Sequence, residues 1–140
     1  MMDQYVIFFF AAVIIVGGLL LAVISITKKG TKHLDVEHYR VKWMEIEQQL
    51  KKDESSTFSL AVLNADKLLD LAMKARGLKG DTTSDRLKSA SKMFTNRNYV
   101  WSAHKLRNKI AHDADVRVSY DDARRALGDF KRALKDIGAI

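Results

Sequence analysis

A chain of 140 residues has room for one domain and an appendage. It has no cysteine, which excludes a disulfide framework, a thiolate metal site and a thiol nucleophile; it has no proline and only 7 glycines, which favours long helices. The net charge of +7 is unevenly placed, since every Lys and Arg lies at or after Lys28 and Asp3 is the only acid before it.

Tyr5 to Ile26 is apolar apart from Gly17, Gly18 and Ser25. As a helix, this run would reach about 33 Å, enough for the hydrocarbon of a bilayer, so a transmembrane helix is expected over 5–27. A signal peptide is the competing expectation. A retained anchor is favoured because no Lys or Arg precedes the run, the run is long, and Lys28, Lys29 and Lys32 follow at once. Those lysines put the N-terminus outside and the rest of the chain in the cytoplasm by the positive-inside rule. The expected location is thus the inner (cytoplasmic) membrane, single-pass, with the lipid bilayer as a partner. Ala11, Gly18, Ala22 and Ser25 share one stripe of this helix, and Gly18 with Ala22 makes a small-xxx-small element that lets two helices approach in lipid. A parallel homodimer is the expectation; small residues gathered there by chance are the alternative.

Residues 28–33 read as a basic juxtamembrane hinge, and 34–140 as a helical bundle. Between Leu34 and Lys52, Val36, Tyr39, Trp43, Ile46 and Leu50 recur at steps of three and four, the pattern of an amphipathic helix with a narrow seam. The seam suits packing on a bundle better than a short coiled coil, since fewer than three heptads are present. Asp53 to Ser56 supplies caps for a helix running to Arg76, with Phe58, Ala61, Val62, Ala65, Leu68, Leu69, Ala72 and Met73 as its apolar face. Gly77 stops it. A shorter helix is expected over Ser84 to Phe94, with Leu87, Ala90 and Phe94 inward. Asn96 or Asn98 can cap the next helix, which carries the stretch Arg97 to Asp113. Ser119 and Asp122 have capping-box spacing before a last helix, Tyr120 to Ile137, that buries Ala123, Leu127, Phe130, Leu134 and Ile137 and ends at Gly138. The fold class is therefore all-α: a single N-terminal transmembrane helix followed by a four- to five-helix bundle.

On the helix from Arg97, Tyr99, Ala103, Leu106 and Ile110 form an apolar stripe. The opposite side carries Trp101, His104, Asn108 and His112, which is unlike an ordinary solvent face. From Arg86 to His112 there are seven cations (Arg86, Lys88, Lys92, Arg97, Lys105, Arg107 and Lys109) and no acid. Such a surplus attracts polyanions, and Trp101 or Tyr99 could add base stacking, so Arg86, Lys88, Lys92, Arg97, Trp101, His104, Lys105 and Lys109 are the candidate nucleic-acid contacts. Solubility lysines, core aromatics and an anionic leaflet are the rival explanations.

Arg107-Asn108-Lys109-Ile110-Ala111-His112 resembles the arginine, polar residue, spacer and histidine motif of the HEPN superfamily of small helical domains. Ala61 to Asp70, Gly77 to Gly80 and Ala103 to Asp113 also resemble the corresponding pieces of a group of small bacterial proteins. Together the likeness covers roughly Ser55 to Ile137, and a HEPN-like core is expected over about 55–137. It implies a dimeric bundle and, as in many HEPN members, metal-independent RNA cleavage. Carried over residue by residue, Arg107 clamps phosphate, His112 transfers protons and Asn108 positions. The chemistry of those side chains suits the roles: imidazole exchanges protons near neutral pH, and guanidinium holds phosphate bidentately. The alternative function is a non-catalytic interaction or assembly module, with His112 favourable simply as a cation at a helix C-terminus. No metal site and no cofactor are expected. His104 and His112 stand about 12 Å apart along the helix, too far to ligate one ion, and no glycine-rich phosphate loop or Ser–His–Asp spacing is visible.

Overall fold

The computed structural model describes residues 2–27 and 33–140; the hinge lysines Lys28, Lys29 and Lys32 lie outside the described residues. The described residues form six helices and no strand: α1 (Met2–Thr27), α2 (Val36–Gln49), α3 (Ser56–Ala75), α4 (Thr83–Ser89), α5 (Arg97–His112) and α6 (Tyr120–Asp136). They divide into two units, Met1–Lys32 and His33–Ile140.

In the first unit, Asp3–Ser25 of α1 is long and apolar enough to cross a membrane, by length and composition. A signal sequence near an N-terminus meets the same test. Ala11, Gly18, Ala22 and Ser25 are all exposed on this helix, and a Cβ added at Gly18 would meet nothing within 4 Å.

The second unit is a bundle built around α3, which packs against α2, α4, α5 and α6. Its expected apolar face is buried throughout, from Phe58 to Met73. One residue in that buried set is not apolar: Asp66 is 2% exposed. The α2 seam packs as its spacing predicts, with Tyr39, Trp43 and Ile46 buried and Val36 and Leu50 half-buried. Asp35 caps α2 by accepting from the His38 backbone N–H. All the expected inward residues of α6 are buried, and Ser119 and Asp122 close a reciprocal capping box at its start.

Helix α3 ends in a Schellman motif. The Leu78 N–H reaches the Met73 carbonyl and the Gly77 N–H reaches that of Lys74, which requires Gly77 at φ +84. Helix α4 is shorter than the sequence suggests. It stops at Ser89, and the chain then passes through tight turns, Ser91 to Lys88 and Met93 to Ala90, before Asn96 caps α5. Ala90 and Phe94 are still buried, but Phe94 reaches the core from a turn.

The largest departure is the rotation of α5. Its buried residues are Val100, Ala103 and His104; Leu106 and Ile110 are only half-buried, and Tyr99 is 49% exposed. The helix has turned by roughly a quarter turn from the orientation its apolar stripe predicts. One carboxylate on α3, Asp66, receives His104 and Arg107, side chains that the stripe alone would send to solvent.

Candidate polar site between helices α3, α4 and α5

Asp66 and Asp70 stand one turn apart on α3, and each fastens a different neighbour. Asp70 accepts from Arg86 Nε of α4 at 2.6 Å and pairs with Lys74 at 3.1 Å. Arg86 also donates through Nη1 to the Gly80 carbonyl. Its side chain is only 6% exposed, so this cation is spent inside the bundle. Burial pushes the Asp70 carboxyl up, but hydrogen bonds from Arg86, Lys74 and Thr83 and the nearby Arg86 charge outweigh it and hold it below the usual carboxylate range. Gly80, at φ +152, lies so close to α4 that an added Cβ would sit 2.7 Å from both the Arg86 nitrogen and Asp85 Cβ. No side chain larger than hydrogen fits there.

Asp66 serves α5. One carboxylate oxygen takes His104 Nδ1 at 2.7 Å, and the other lies 3.4 Å from Arg107 Nε. His104 is 3% exposed. Its Nε2 lies 3.1 Å from Ser84 Oγ of α4 and 3.3 Å from Asn108 Nδ2. Arg107 Nη1 donates to Asn108 Oδ1 at 3.1 Å.

The network fixes its own protons. Guanidinium only donates, so the Asn108 oxygen must face Arg107 and the amide nitrogen must face His104. His104 Nε2 is then an acceptor. The ring proton sits on Nδ1 and donates to Asp66, and the Ser84 hydroxyl shares the single Nε2 lone pair with the Asn108 N–H.

These positions sort the residues expected from sequence. Arg107 and Asn108 are brought together, half-buried, and joined to His104. His112 is exposed at the end of α5, one turn beyond Asn108. It follows Arg107 by five residues, which places the two side chains about 140° apart around the helix. A single copy of the bundle therefore does not converge Arg107 and His112 on one point. Of the candidate nucleic-acid contacts, Lys88, Lys92, Arg97, Lys105 and Lys109 are exposed. Trp101 is half-buried, with its ring edge-on to His104 at 6.0 Å between centroids.

Arg86 and His104 do not belong to that surface. Both are buried against carboxylates of α3, which corrects the expectation that they face a polyanion. Lys109 lines a groove of about 360 Å³ between α5 and α6, together with Arg117, Arg125 and Asp129. Burial raises the Asp129 carboxyl there, only partly offset by Arg132 and Arg125.

The sequence reading missed Asp66, Asp70 and Ser84. Two acids one turn apart at the margin of an otherwise apolar face were the available signal, together with the acid-free stretch that follows. Those surplus cations needed partners from elsewhere.

No protein-family model matches this sequence, and neither the curated proteins nor the solved structures contain a match to it.

Proposed function

We propose that the chain is a membrane-anchored, HEPN-like domain that binds RNA and cleaves it without metal. Arg107 holds phosphate, Asn108 positions and His112 transfers protons. The observation carrying this reading is the way Arg107 and Asn108 are held. Each is tied to the other and to the Asp66–His104 pair, while both remain half-buried and His112 stays exposed. Preorganised donors of this kind are what phosphorane stabilisation asks for. Exposed Lys88, Lys92, Arg97, Lys105 and Lys109 supply attraction for the strand. In this reading α1 is retained as an anchor, and Lys28, Lys29 and Lys32 keep the bundle on the cytoplasmic side.

Full-length protein in detergent, incubated with mixed RNA in EDTA, should yield 2′,3′-cyclic phosphate ends. His112→Ala should abolish the products with melting unchanged, since the residue is exposed and an exposed substitution usually shifts stability by less than about 0.5 kcal/mol. Intact RNA in the presence of folded wild-type protein would sink the enzymatic reading. A non-catalytic interaction module is the second reading, favoured by the contact of Arg107 with a buried carboxylate, which gives that side chain a structural role of its own.

The angular split between Arg107 and His112 supports a shared site in a homodimer, because two copies can supply what one does not converge. Close approach of α1 helices at Gly18 and Ala22 would favour it, and confinement to a membrane raises the effective concentration of the bundles. Gly18→Ile is expected to weaken self-association of the full-length protein in bilayers. A Cβ added at Gly18 meets nothing within 4 Å, so a change in association reports on the helix pair. Cross-linking that finds wild type and variant equally monomeric removes the shared site.

A further inference from the structure

Helices α3, α4 and α5 assemble an Asp–His–Ser relay that the linear spacing of 66, 84 and 104 conceals. Asp66 Oδ1 meets His104 Nδ1 at 2.7 Å, and His104 Nε2 meets Ser84 Oγ at 3.1 Å. The proton order is the one a general base needs: a buried carboxylate accepts from Nδ1–H, leaving the Nε2 lone pair to be shared by the Ser84 hydroxyl at 3.1 Å and the Asn108 N–H at 3.3 Å. We propose that Asp66, His104 and Ser84 form a catalytic triad that makes Ser84 an acyl-accepting nucleophile toward small carboxylic esters with an apolar acyl group. Its three residues take no part in the RNA-cleavage reading, which shares only Asn108 and Arg107 with it.

Three observations favour this over a purely structural tie. The Ser84 hydroxyl is not needed to cap α4, because Thr82 and Asp85 already close a capping box there. Nor is it needed to hold α4 down, since Arg86 fastens α4 to Asp70. Ser84 is also only half-buried, while His104 and Asp66, which complete the relay, are almost fully buried.

The surrounding groups fit the rest of the reaction. Asn108 Nδ2, 3.3 Å from Nε2 and oriented by Arg107, is an N–H donor at the same imidazole nitrogen that Ser84 meets. Half-buried Trp101, edge-on to the His104 imidazole, is the aromatic surface next to the relay.

In the first step Ser84 Oγ adds to the acyl carbon as its proton passes to His104 Nε2. Once protonated, Nε2 no longer accepts from Asn108, and that N–H is free to meet the oxyanion. The bond to the alcohol oxygen breaks as that oxygen takes the proton from His104. Water then adds to the acyl carbon, its proton passing to His104, and Ser84 leaves with that proton to release the carboxylic acid.

Full-length protein in detergent is treated with an alkyl fluorophosphonate, and the adduct is located by mass spectrometry. Stoichiometric labelling at Ser84 is expected, with none after heat unfolding. Ser84→Ala should lose the label and keep its melting temperature. A thiol at the same place gives a second readout. Ser84→Cys should react with iodoacetamide below pH 7 at least about tenfold faster than Ser102→Cys, an exposed control on α5, because the adjacent imidazole draws off the thiol proton. A folded protein whose Ser84 goes unlabelled, or whose two cysteine variants share one pH profile, overturns the triad.

Discussion

Replacing Arg86 by alanine is expected to cost about 3 kcal/mol of stability, far more than an ordinary lysine-to-alanine change on this basic chain. The guanidinium is 6% exposed and the Asp70 carboxylate 13%, so truncation leaves a nearly buried anion with only Lys74 and Thr83. It also strips the Gly80 carbonyl of its donor in a turn that cannot rearrange around a side chain. The loss should appear as a lower denaturant midpoint with unchanged slope, followed by the fluorescence of buried Trp43.

Its pH dependence has a definite sign. The folded Asp70 carboxyl sits below its unfolded value near 3.9, so its pairing contributes fully above that value and is lost as pH falls through the folded pKa. The stability gap between wild type and Arg86→Ala should therefore narrow on acidification below about pH 4. A gap that stays constant to pH 2 would show that the cost is packing and not the ion pair.

Helix ends and apolar seams were legible because their determinants are local. Asn96, Ser119 with Asp122, Gly77 and Gly138 each act within a turn of themselves, and the α2 and α6 seams are read from spacing alone. The inward face of α5 was not legible in that way. Tyr99, Leu106 and Ile110 make a plausible stripe, yet the helix turns His104 and Arg107 toward α3 because Asp66, 38 residues before His104, offers them a carboxylate. Periodicity measures apolar character, and here part of the buried face is polar. The same blindness made the acid-free stretch look like one continuous basic surface. Arg86 is instead the cationic half of an enclosed pair whose anionic half, Asp70, lies on another helix, and Arg107 is partly engaged by Asp66. The end of α4 at Ser89 was missed for a related reason: Phe94 is buried as a helical residue would be, but it gets there through turns.

Asp66→Ala is the substitution that tests how much of α5 depends on this arrangement. It removes a charge-assisted hydrogen bond at 2.7 Å from a site 2% exposed and leaves the His104 Nδ1–H without an acceptor. An unsatisfied buried donor costs about 1–3 kcal/mol in addition to the lost bond, so a total of roughly 2–4 kcal/mol is expected. Arg107 adds little, because its contact with Asp66 is 3.4 Å long and its side chain is 36% exposed, where solvent screens the charge. The companion variant is Asp66→Leu with His104→Phe. Replacing both partners by apolar groups removes the desolvation penalty as well as the bond, so the double variant should recover stability relative to either single change, with a coupling of at least about 1 kcal/mol. Trp101, edge-on to the imidazole, gives a local optical signal for the same transition. If Asp66→Ala shifts stability by less than about 0.5 kcal/mol, the pair does not hold α5, and the quarter turn of that helix must come from the apolar contacts of Val100 and Ala103. If the single variants fall as expected and the double recovers, the pair is not needed for stability as such. Its cost is then borne for what it positions, namely the Ser84 hydroxyl and the Asn108 amide on the two sides of one imidazole nitrogen.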